Sequence, residues 1–176
     1  MNSQTTYRIT RGLIIPFSII LFLFGFVLNG RAQEKPPRPI TITVSTVQHL
    51  NFGTIIPTSN SGGSVIVDYS NTATATGDIL LLHSFDCKSA LFTVDAEPGV
   101  LITISYPNTN PKLTKSGFYL QMHLGTPHVY SEFGFQYITK TQFTDVYIGG
   151  TLDVGSLTAN PSGDYSGTFD VTFNQQ

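Results

Sequence analysis

The sequence has no tryptophan, a single cysteine, and charged side chains at only 11% of its positions. With one thiol, Cys87, no internal disulfide can form, so the fold must be held by packing. The thiol itself reads as a small buried hydrophobe, with intermolecular pairing the alternative. Basic residues are scarce beyond residue 32, six against all eleven acids, for a net charge near −5. That leaves no electrostatic footprint for nucleic acid or anionic lipid. No Gly-x-Ser-x-Gly elbow occurs, so acyl transfer by an activated serine has no support. No stretch of helical period follows residue 32.

What is present begins with a leader. Arg8 and Arg11 precede an apolar run from Leu13 to Leu28, followed by small residues at Gly30 and Ala32. This is the charged, hydrophobic and small-residue order of a signal peptide over residues 1–32, cleaved before Gln33. An uncleaved membrane anchor is the alternative, since the run falls just short of the roughly 17 to 25 residues that span a bilayer. Cleavage predicts an exported protein of the periplasm, cell surface or extracellular space, with no membrane contact afterwards. Residues 33–39, containing Pro36, Pro37 and Pro39, read as a linker, because each proline lacks a donor and restrains its predecessor.

Residues 40–176 then form one domain rich in Thr, Ser, Gly, Phe and Tyr. A domain of that size buries enough surface to stand without disulfide or metal. Ile40, Ile42 and Val44 alternate with polar residues, the period of two that sends one set to a core. A strand through Leu50 and Phe52 follows, and Ser64 to Tyr69 is another, with Asp68 facing solvent. The continuous run Ile79 to Leu82 reads as a strand covered on both faces. Ala90, Phe92 and Val94 alternate, as do Val100, Ile102 and Ile104 beyond the Glu97-Pro98-Gly99 turn, so the two segments are expected to pair as a hairpin. Phe118 to Leu124 and Phe133 to Tyr137 supply further strands. The Gly149-Gly150 pair within Val146 to Val154 signals a bulge or a close backbone approach. Tyr165, Phe169, Val171 and Phe173 share one face of the last strand. About nine or ten short strands at regular spacing predict an all-β antiparallel sandwich of two sheets, Ig-like or jelly-roll. An outer-membrane barrel is disfavoured, since its strands need alternation over about 9 to 11 residues.

Four segments carry a resemblance: Leu50-Asn-Phe-Gly53, Gly62-Gly-Ser-Val-Ile-Val67, Gly149-Gly-Thr-Leu152, and the run from Gly163 to Phe173. In this order and spacing the chain resembles domain-of-unknown-function family 4402, a bacterial family of exported β-sandwich domains. Its final Gly-x-Tyr-x-Gly is also similar to the last strand of spore-coat-U-like and chaperone-usher pilin domains. The resemblance implies a structural or adhesive protein of the surface or periplasm, and no catalytic residues to carry over.

Candidate chemistry is sparse. His123 and His128 are five apart, and His83, Asp86 and Cys87 lie close in sequence. Strand residues five apart face opposite sides, however, and zinc needs three or four converging ligands. Asp145, Asp153 and Asp164 lie near glycine-rich turns but lack the dense oxygen ligands of a calcium loop. Paired carboxylates for sugar hydrolysis are not excluded, yet Asp68, Asp153 and Asp170 fall at outward positions or turns. The expectation is therefore no catalytic, metal or cofactor site. Tyr119, Tyr130 and Tyr147 lie at or beside outward positions and form a candidate interaction surface, against the plainer reading of tyrosines covering sheet faces.

The expected function is a non-enzymatic structural or adhesive protein, such as a fimbrial-type subunit, with self-assembly, other surface proteins or glycans as partners. Ile40, Ile42 and Val44 form either a donated strand that completes a neighbour's sheet or the first strand of their own sandwich; the second is preferred. The alternative function is a carbohydrate-binding module or an enzyme using a sandwich face.

Overall fold

The computed structural model describes residues 36, 38–82, 86–107 and 110–176. The leader over 1–32 lies outside them, as does most of the linker. The chain divides into units Met1–Pro36 and Pro37–Gln176, and every described strand belongs to the second. That unit is all-β. Its strands are β1 (Thr41–Val44), β2 (Thr54–Pro57), β3 (Gly63–Val67), β4 (Ala73–Gly77), β5 (Ile79–Leu82), β6 (Ala90–Asp95), β7 (Leu101–Ser105) and β8 (Lys112–Lys115). They continue with β9 (Phe118–Leu124), β10 (His128–Val129), β11 (Glu132–Phe133), β12 (Gln136–Ile138), β13 (Phe143–Ile148), β14 (Gly150–Val154) and β15 (Thr172–Gln175). Many short strands replace the nine or ten expected because several bend or break where the chain changes sheet.

Among the described residues all ladders are antiparallel, in four sheets of order β1-β6-β13-β10-β11, β12-β7-β15, β4-β3-β14-β9-β8 and β2-β5. The architecture is consistent with the antiparallel sandwich expected from the sequence, and its buried residues fall into two core clusters. In the first, Phe92, Val94, Val146 and Ile148 of the five-stranded sheet meet Ile102 and Ile104 of β7. In the second, Val65, Val67, Met122 and Leu152 meet Ile55, Ile79 and Leu81 of the β2-β5 ribbon. Leu50, Leu124 and Phe169 pack against both cores and join them. Each large apolar side chain fully buried in this way contributes about 1.5 to 3 kcal/mol relative to exposure.

The two five-stranded sheets are joined by strands that turn a corner together. β13 passes through Gly149 into β14, exchanging β6 and β10 as neighbours for β3 and β9. Beside it β9 leads through Gly125 to β10, and the Gly125 amide donates to the Gly149 carbonyl at 2.9 Å. A Cβ on Gly149 would lie 2.2 Å from the Val67 carbonyl oxygen. The glycine pair is thus a close backbone approach, and what it enables is a change of sheet.

Three local expectations are corrected. Ala90–Asp95 and Leu101–Ser105 do not pair: β6 bonds to β1 and β13, β7 to β12 and β15, and the two face each other across the first core. Ile79–Leu82 is covered on one face alone, leaving Leu80 49% exposed beside Ile56. Leu50 and Phe52 flank a single bridge, Asn51 to Lys88, and the strand proper starts at Thr54. In the last segment, alternation runs from Tyr165 to Phe173 as expected, but only Thr172–Gln175 is in a ladder.

Candidate functional site

β1 is the edge strand of its own sheet, paired to β6 with Ile42 opposite Val94 and Val44 opposite Phe92. Ile40 and Ile42 pack against the first core, whereas Val44 is 59% exposed. Arg38 forms a bidentate ion pair with Asp95, tying the segment before β1 to the end of β6.

The three candidate tyrosines are not brought together. Tyr119 is exposed on β9, with the Lys112 ammonium 4.2 Å from its ring centre. Tyr147 is half-buried on β13, in a different sheet. Tyr130 is half-buried and tied into the fold through its hydroxyl. With Ser131 it forms the two-residue turn between β10 and β11 and has φ of 56°, a conformation in which glycine is usual. Its hydroxyl accepts the Lys140 amide at 2.6 Å and lies 3.0 Å from the Thr144 hydroxyl. Burial raises the Tyr130 pKa, but these hydrogen bonds outweigh it and the net shift is downward.

The same turn builds an aromatic cluster that the sequence reading missed. His128 is opposite both Phe133 and Tyr147 in its ladders, so the three side chains share one face. Tyr69, arriving from the end of β3, stacks on the His128 ring at 3.7 Å and 14°, with Phe133 edge-on to both. Phe133 is 63% exposed, so the cluster reaches solvent. Nothing in local sequence joins Tyr69 to His128.

The acids and histidines serve as local ties. Asp68 caps its turn, accepting the Ser70 and Thr72 amides at 2.9 Å and the Ser70 hydroxyl at 2.7 Å. Burial alone would raise its pKa; these bonds outweigh it and hold the carboxyl below its ordinary value. Asp145 accepts the Thr93 hydroxyl across β13 and β6 at 2.8 Å, and His123 meets Asp153 across β9 and β14 at 2.9 Å. His123 and His128 lie in different sheets. His83, part of the other metal combination weighed, falls outside the described residues. Among the described residues no three His, Cys, Asp or Glu side chains converge. Cys87 is fully buried in the second core, where burial and the nearby Asp86 raise its pKa.

A cleft of about 690 Å³ opens into the second core between β2 and the segment Ser162–Gly167. Leu120, Leu152 and Val154 line it from the inward face of the large sheet, with Leu157 and Asp164 on the loop side. Such volume with an apolar lining is in the range of binding pockets. Its loop wall is anchored: Asn160 accepts the Gly155 amide and donates to the Tyr119 carbonyl, and Lys115 donates to the Ser162 carbonyl. Sequence reasoning missed it because its walls are far apart in the chain; the one local sign was Asn160-Pro-Ser-Gly, which marks a loop and not what it faces.

No curated protein and no solved structure matches the chain. A family model does, over residues 42–174, and the chain belongs to the family it describes, Domain of unknown function (DUF4402).

Proposed function

We propose that this chain is an exported, non-enzymatic structural or adhesive protein of the cell surface or periplasm. The observation that supports it is how its ionisable side chains are used. Asp68 closes a turn, Asp95 holds Arg38, Asp145 holds Thr93 and Asp153 holds His123, each at a separate place on the sheets. General acid-base catalysis needs a side chain positioned at a reacting centre, whereas these four carboxylates are engaged as strand-to-strand and turn ties. The leader motif in the sequence supports export. The test is to tag the protein at its C-terminus in its own cells, treat intact and osmotically shocked cells with protease, and compare adhesion of a deletion strain. Digestion in intact or shocked cells, with loss of adhesion or envelope integrity on deletion, is the expected result. A tag protected until lysis sinks the reading.

The Tyr69–His128–Phe133 cluster favours a second reading, a glycan-binding face. Exposed aromatic rings supply the apolar contact that sugar rings use, with polar neighbours for hydroxyls. Retention on immobilised glycans, abolished by Phe133→Ala, is its signature.

A further inference from the structure

Protein interiors pack to the density of organic crystals, with few voids larger than a water molecule. The cleft of about 690 Å³ beside β2 departs from this, because its floor is core: Phe52, Leu120, Leu152 and Val154 line it and are all buried residues. Successive side chains of a strand point to opposite faces. Lining by Thr54, Ile55, Ile56 and Pro57 alike therefore places the cleft along the free edge of β2, whose other edge is bonded to β5. The facing wall is seated on β8. The Thr114 and Ser166 backbones exchange two hydrogen bonds, and the Tyr165 hydroxyl donates to the Pro161 carbonyl at 2.9 Å. A Cβ on Gly167 would lie 2.3 Å from the Lys112 carbonyl oxygen, so this wall stands against β8 backbone and away from β2. The space between the walls is preformed.

Its polar groups narrow what it can hold. The Thr58 amide donates to the Asp78 carbonyl at 2.8 Å, which fixes the phase of the β2 ladder and puts its bonded pairs at Thr54 and Ile56. The N–H and C=O of Ile55 therefore point away from β5, towards the cleft, and among the described residues they have no backbone partner. One donor and one acceptor thus stand side by side on an apolar wall, where a single hydroxyl or amide can satisfy both. No Lys or Arg lines the cleft, and Asp164 is its one acid. Lys115 reaches the loop, but its ammonium is engaged by the Ser162 carbonyl. A carboxylate or phosphate entering here would lose its hydration and meet no cation.

We infer that this cleft binds an uncharged aliphatic small molecule bearing a hydroxyl or an amide. The chain lies on Leu120, Leu152 and Val154, and the polar group meets the Ile55 backbone. The site goes beyond the surface role proposed above and does not depend on it. Its apolar lining, its volume and its few placed polar groups match the general make-up of small-molecule sites.

The test uses the purified exported protein, the neutral fluorophore phenylnaphthylamine, and octanol, octanamide and octanoate as competitors of one chain length. The fluorophore is expected to bind saturably, and octanol and octanamide to displace it at least about ten-fold more effectively than octanoate. Leu157→Glu puts a charge on the cleft wall at a position already 53% exposed. It is expected to weaken fluorophore binding more than about ten-fold with the thermal midpoint unchanged. Should that variant lower the midpoint, Asp164→Lys decides: octanoate gaining about ten-fold on octanol supports the site, and no gain overturns it. Absence of saturable binding, octanoate competing as well as octanol, or a folded Leu157→Glu protein that binds like the parent each overturns the inference. The last of these would place the fluorophore on another apolar surface, such as the exposed Ile56 and Leu80.

Discussion

The carbonyl oxygen of Val67 occupies the place where a side chain on Gly149 would begin, 2.2 Å from its ideal Cβ. That contact lies at the corner where β13 becomes β14. Because the obstruction is backbone of β3, it cannot move aside as a flexible side chain would. Gly149→Ala is expected to cost about 1 to 3 kcal/mol. Urea unfolding should show a lower midpoint with an unchanged slope; a midpoint equal to the parent's would mean that the corner relaxes freely.

Tyr130 and Tyr119 should separate cleanly. Tyr130→Phe removes the acceptor for the Lys140 amide and the partner of Thr144, at a cost of about 0.5 to 1.5 kcal/mol. Tyr119→Ala, on an exposed side chain, should stay within about 0.5 kcal/mol. Thermal unfolding of both variants checks this, and equal losses would contradict the division into structural and surface tyrosines.

Asp68 gives the fold a pH dependence. Its folded pKa lies below the ordinary carboxylate value because the Ser70 and Thr72 hydrogen bonds outweigh burial. Its contribution is therefore present above the unfolded pKa and lost as pH falls through the folded one. The stability gap between the parent and Asp68→Asn should be open at neutral pH and narrow in acid. A gap independent of pH would show that the carboxylate charge contributes nothing.

Cys87 should be silent to thiol reagents in the native protein. It is fully buried, and burial and Asp86 raise its pKa, so both access and thiolate are suppressed. Labelling should appear only with global unfolding. Since the folded pKa is raised, the thiol favours the folded state up to the unfolded pKa and opposes it as pH rises beyond. Fast labelling under native conditions would place the second core in exchange with an open form.

Much of this architecture is local information. Period-two alternation at Phe92 and Val94, at Ile102 and Ile104, and at Leu120 and Met122 correctly assigns the side chains that turn inward, because a strand's pleat alternates whatever it pairs with. Turn chemistry placed the boundaries for the same reason. Pairing is different in kind. Which strand bonds to which depends on the distant chain that covers each face, so β6 and β7 face each other across a core though they are sequence neighbours. The run Ile79–Leu82 has the composition of a doubly covered strand, yet its outer face is exposed because among the described residues no layer lies beyond the two-stranded ribbon. Gly149 announced a close approach, while its partner Val67 lies far back in the chain. The sequence by itself therefore determined strand faces, turns and the all-β class, which are properties of neighbouring residues. Sheet partners, the aromatic cluster of Tyr69 on His128 and the cleft beside β2 were decided by tertiary structure alone, because each joins segments whose approach is set by packing of the whole domain.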